Sequence, residues 1–126
     1  MSNWQLINFN VDYNNFDDCD IYRYPTVIFT LQSSTNDKII WTIDDIHTVD
    51  WESFNNAINS GTSYVYKHEI GDYMYSYECD NNMFKVFNSL CDGMSFGFTT
   101  SCVNIKKCIE LLIDIDGFAT KNKKYC

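Results

Sequence analysis

The chain has 126 residues, of which 45% are hydrophobic and 17% aromatic, and its formal net charge is −8. That length suits one compact domain, and that apolar share is too high for a disordered chain. The acid excess repels nucleic-acid phosphates and anionic membranes, so neither is expected as a partner.

Gln5 to Tyr13 alternates apolar and polar residues. Ile7, Phe9, Val11 and Tyr13 share one face, which predicts a strand. "NNFDDCD" then breaks the pattern with turn formers. Pro25 opens a second strand, "TVIFTLQ", where its missing N–H is tolerated. After the loop "SSTND" comes a third strand, "KIIWTID". "TVDWESFNNAINSG" carries helix punctuation: Thr48 or Asp50 as N-cap, and Glu52 at the positive end of the dipole. Trp51, Phe54 and Ile58 form an apolar stripe, and Gly61 stands at the C-cap.

"SYVYKHEIGDYMYSYECDNNMFKVF" holds two tight turns, Gly71-Asp72 and Asn81-Asn82. The first pairs Ile70 with Tyr73, His68 with Tyr75, Tyr66 with Tyr77 and Tyr64 with Cys79. The second pairs Cys79 with Phe84 and Tyr77 with Val86. Both turns put Tyr64, Tyr66, His68, Tyr73, Tyr75 and Tyr77 on one face, because side chains alternate with period two. Cys91-Asp92-Gly93 fits a three-residue hairpin loop that adds Phe96 and Phe98 to that face. In "TSCVNIKKCIELLIDIDG" the stripe Ile105, Cys108, Ile109, Leu112 and Ile115 predicts an amphipathic helix capped by Thr100 or Ser101 and ended by Gly117.

The expected fold is α+β, in the order β-β-β-α-β-β-β-β-α. The antiparallel strands form one sheet or two layers, the last four as a meander, packed by the C-terminal helix. Residues 1–117 are read as one domain and 118–126 as a short basic tail.

No motif specifies a reaction. The chain has no CxxC, no Gly-rich phosphate loop and no Gly-x-Ser-x-Gly elbow. "DIDGFATK" fails as a calcium loop because the twelfth position falls on Lys123 where a Glu is needed. "FDDCD" has carboxylates without the required Gly. No cofactor, no metal and no catalytic residue is therefore expected. The six cysteines read best as buried thiols acting as small hydrophobes. Cys102 lies near a helix N-terminus, a setting that can lower a thiol pKa, but also at the edge of the apolar stripe, so core packing is the preferred reading. His47 lies beside Asp44, Asp45 and Asp50, as a cation-binding cluster or a solvated helix start. The N-terminus lacks a signal-peptide pattern and no apolar run spans a bilayer, which suggests an intracellular, reducing, cytoplasmic setting. The Asn-, Ile-, Tyr- and Lys-rich texture resembles chains from AT-rich genomes, such as large DNA viruses, and transfers no function.

Tyrosine prefers sites with one apolar and one wet end, so five tyrosines are unusual in a sealed core. The simplest reading is core covered by the last helix, with the hairpin end at His68, Tyr73 and Tyr75 reaching a groove. The opposite face is mixed. Its apolar members Val65, Met74 and Phe87 suit a contact with the N-terminal strands or a second chain. The function expected first is a non-enzymatic protein-interaction module with a protein partner or a second copy of itself. A small-ligand binder or hydrolase with a Tyr/His68 pocket comes second, and an acidic nucleic-acid mimic third.

Overall fold

The computed structural model describes residues 3–14, 16, 24–44, 46–71, 73–89 and 94–123. The loop at Cys91-Asp92-Gly93, the carboxylates of "FDDCD", and Asp45, Asp72 and Cys126 lie outside them. The described residues form an α+β fold with two antiparallel sheets, one helix between them in sequence and one at the C-terminal end.

The first sheet runs β1 (Trp4–Asp12), β2 (Thr26–Ser33), β3 (Lys38–Ile43) in that spatial order. The expected face of β1 is corrected at one residue. The register shifts between Leu6, opposite Leu31, and Asn8, opposite Thr30, so Ile7 is a bulge. A bulge resets the side-chain parity. Trp4 and Leu6 therefore share a face with Val11 and with Phe9, itself 42% exposed toward the sheet edge, while Ile7 points to the other side and is 48% exposed. Strict alternation would have turned Trp4 and Leu6 away from the core.

The second sheet is the meander β4 (Tyr64–Ile70), β5 (Tyr73–Asp80), β6 (Met83–Ser89), β7 (Ser95–Ser101). Its register is the one the turns dictate: His68 opposite Tyr75, Tyr66 opposite Tyr77, Cys79 opposite Phe84, and Val86 opposite Phe98. Asn81 and Asn82 both have positive φ, 50° and 62°, as a two-residue turn matched to strand twist requires. Gly71 takes φ 56° at the other turn, where a Cβ would be strained.

Helix α1 (Trp51–Ser60) begins at Asp50, whose carboxylate accepts from the Ser53 N–H at 3.0 Å and the Ser53 hydroxyl at 2.7 Å. Gly61 closes it in the left-handed conformation. Helix α2 (Cys102–Asn122) departs from expectation at both ends. Ser101 holds the N-cap position without a side-chain hydrogen bond. The first helical N–H, that of Cys102, donates instead to the Asn82 carbonyl at 2.8 Å. The helix also continues through Gly117. An interior glycine costs only about 1 kcal/mol, and tertiary contacts beyond it outweigh that. Ala119 is buried, Tyr13 meets Phe118 edge-on, and Lys123 donates to the Phe16 carbonyl at 2.9 Å. The residues read as a frayed tail are thus, up to Lys123, a docked last turn.

The core centres on Trp41 of β3. Its ring packs on Phe29 in its own sheet and on Tyr77, Phe84 and Phe98 of the second sheet, and its edge meets Trp51 of α1. The two sheets are also tied by Thr100. Its hydroxyl accepts from the Trp4 N–H and donates to the Trp4 carbonyl, both at 2.9 Å. α2 packs on both sheets and on α1 through Ile105, Cys108, Ile109 and Leu112.

Candidate functional site

Along β4 and β5 the tyrosine face changes from dry to wet. Near α1, Tyr64 meets the Phe54 ring edge-on at 4.7 Å, and Tyr77 is 3% exposed between Trp41 and Trp51. Toward the hairpin tip, Tyr66 and Tyr75 are half-buried, while His68 and Tyr73 are exposed. The aromatic cover over these tyrosines is Trp41, Trp51 and Phe54, from β3 and α1. That corrects the expectation that the last helix seals this face. α2 lies against the β6 and β7 side of the sheet, and the hairpin end stays open.

There, Tyr66, His68, Tyr75 and Tyr77 meet Thr42, Ile43 and Asp44 from the end of β3, and Thr48 and Val49 from the following segment. They line a cleft of about 70 Å³. The rings of Tyr77, Tyr66 and His68 stand in a row, 6.2 and 6.4 Å apart and within 20° of parallel. Burial pushes the Tyr77 hydroxyl well above its ordinary pKa, and the charges of Tyr75, Tyr66 and Asp44 push it the same way. The Trp41 indole N–H acts in the other direction. It falls short of a well-formed hydrogen bond, so desolvation wins and Tyr77 is a neutral phenol at physiological pH.

A second groove lies across the Thr48-Val49 segment, which lines both. It has a volume of about 390 Å³ and brings together His47, Asp50, Glu52 and Asp116. His47 Nδ1 is 2.9 Å from Asp116 Oδ1, and its ring stacks on Tyr24 at 4.5 Å with 2° between planes. Among the described residues His47 pairs with Asp116, 69 residues away, and not with Asp44 or Asp50 beside it in sequence. Only the docking of α2 beside α1 creates this pair. Among the described residues no group of three or more His, Cys, Asp or Glu side chains is placed to hold a metal ion.

Val65 and Phe87 are 54% and 42% exposed, and Met74 is half-buried. The first sheet packs on the tyrosine face, so the expected contact of these residues with the N-terminal strands does not form. The register also puts Ser76, Glu78 and Lys85 among them, so they make no continuous apolar patch. Phe87 lies over Gly97, whose position a Cβ would enter 3.5 Å from the ring.

Cys79 and Cys102 are buried with their sulfurs 3.6 Å apart, as thiols in contact. Cys102 is packed in the core, as its place at the edge of the apolar stripe predicts, and the helix N-terminus does not lower its pKa. Burial, and then the hydrogen bond with Cys79, raise its pKa far above the ordinary thiol value. Cys108 is likewise pushed up to about 12 by burial.

No helix among the described residues is long and apolar enough to cross a membrane. Comparison with protein-family models, curated proteins and solved structures gives no significant match.

Proposed function

We propose that this chain is a non-enzymatic protein-interaction module that engages a basic partner through the surface on either side of Thr48-Val49. One observation carries the reading. Two grooves share that segment, and among the described residues their linings contribute Asp44, Asp50, Glu52 and Asp116 and no Lys or Arg. The net charge of −8 extends the same field over the molecule, which steers a basic partner toward it. The free thiols Cys79, Cys102 and Cys108 suit a reducing, intracellular setting for that role.

The test is binding of an oligolysine peptide, followed by calorimetry at low and high salt. Binding at 50 mM salt that weakens by more than about tenfold at 500 mM is the expected result. Glu52→Lys with Asp116→Lys should abolish it, and Asp37→Lys, at the far end of β3, should not. Equal losses from both sets would reduce the effect to net charge and end the proposal.

A second reading, a small-ligand site or hydrolase, keeps the support of His68 at the mouth of the cleft. The His68 ring stacks on Tyr66, and among the described residues no carboxylate hydrogen-bonds it to set its tautomer. The interaction reading is therefore preferred.

A further inference from the structure

We infer that the cleft floored by Tyr77 receives one cationic side chain, an arginine or lysine, of the basic partner. This rests on the interaction reading and assigns the point where it becomes specific.

The cleft is a funnel. Its floor, Tyr77, is 3% exposed, its walls Tyr66 and Tyr75 are half-buried, and His68 stands exposed at the mouth. Tyrosine faces attract a cation through the ring quadrupole, most strongly where water is displaced. Among the described residues of the lining, every side-chain polar group apart from His68 is a hydroxyl or a carboxylate. Asp44 supplies the counter-charge, and its Oδ1 is held by the Thr26 hydroxyl at 3.2 Å. Asp44 is the carboxylate of the lining, and its charge reaches as far as the Tyr77 hydroxyl, so the negative potential extends to the floor. An anion would meet that field unfavourably. A neutral apolar group would offer Asp44 no counter-charge. A guanidinium or ammonium head answers the rings and the carboxylate together. The cleft volume of about 70 Å³ suits the head of one side chain and excludes a folded element.

The experiment titrates the isotope-labelled full chain with a hexa-arginine peptide at low salt, and then with the same peptide carrying citrulline in place of arginine. Citrulline keeps the shape and removes the charge. The expected result is chemical-shift change at Asp44, Tyr66, His68 and Tyr75, with at least about tenfold weaker binding of the citrulline peptide. Asp44→Asn and Tyr75→Leu should each weaken binding severalfold. Tyr75→Phe keeps the ring and should bind as the parent does, which separates a cation–ring contact from a folding defect. Shifts confined to the His47–Asp116 groove, with Asp44→Asn binding normally, would overturn the cleft assignment and leave the interaction reading intact. Equal binding of the citrulline peptide would overturn the cation. No binding of either peptide would overturn both readings.

Discussion

Thr100 shows how one side chain can join two layers. It is fully buried, and its hydroxyl completes both hydrogen-bonding groups of Trp4. Thr100→Val keeps the shape and removes the partner of a half-buried N–H and carbonyl, at a cost of about 1–2 kcal/mol. The urea midpoint should fall accordingly, while Thr100→Ser should retain most of the stability. The buried acids act at the alkaline end. The Cys108 thiol ionises near 9.0 when free and near 12 when folded, and Tyr77 is raised from 10.0 in the same sense. Above pH 9 the unfolded state therefore binds fewer protons than the folded one. Stability from these groups is fully present below pH 9 and declines as pH rises toward 12. Thermal melts across pH 8 to 11 should show that fall, and Cys108→Ala should make it shallower. Labelling with a thiol reagent at pH 8 should leave Cys79, Cys102 and Cys108 unmodified until the protein is unfolded, because all three are buried out of the reagent's reach.

At the scale of the element, the two helices are held by different means. α1 is punctuated locally. Ser53 donates two hydrogen bonds to Asp50 and holds its carboxyl below the ordinary 3.8. That contribution is present above pH 3.8 and is lost as pH falls through the folded value. Asp50 is a solvent-exposed cap, so Asp50→Ala should cost about 1 kcal/mol at neutral pH and much less at pH 2, as read by denaturant midpoints. α2 is held by tertiary contacts at both ends. Removing residues 118–126 deletes buried Ala119 and the anchor from Lys123 to the Phe16 carbonyl and ring. Each charge-assisted hydrogen bond of this kind contributes about 1.5–3 kcal/mol, so the shortened chain should melt several degrees lower. Unchanged melting would restore the reading of a frayed tail.

At the scale of the molecule, Trp41 joins both sheets and α1 in one cluster. Replacing so large a buried side chain leaves a cavity, and Trp41→Ala should cost about 3–5 kcal/mol. The sheets share this contact, so far-ultraviolet dichroism and tryptophan fluorescence should report a single coincident transition in the parent protein. Separate midpoints would mean that the sheets fold independently. The acidic surface is also a property of the whole. Asp44 and Asp50 come from one segment and Asp116 from the far end of the chain, and they share a surface because α2 docks beside α1 and the 3₁₀ turn Ile46–Thr48.

The order of elements and the meander's register were legible in the residues. Period-two alternation and tight turns act over a few neighbours, so Asn81-Asn82 dictates that Tyr77 faces Val86 with no knowledge of the rest of the fold. The same holds for Asp50 and Gly61 at the ends of α1. What the residues by themselves left open was every question of what lies on top. The bulge at Ile7 brings Trp4 and Leu6 against the core, where strict alternation would have turned them away. The last turn of α2 exists because Phe16 and Tyr24 stand ready to hold it. The cleft at Tyr66, His68 and Tyr75 stays open because Trp41, Trp51 and Phe54 cover only the other half of that face. Local hydrogen-bond geometry is written in short stretches of chain, whereas cover and charge convergence arise from residues far apart in sequence, which only tertiary packing brings together.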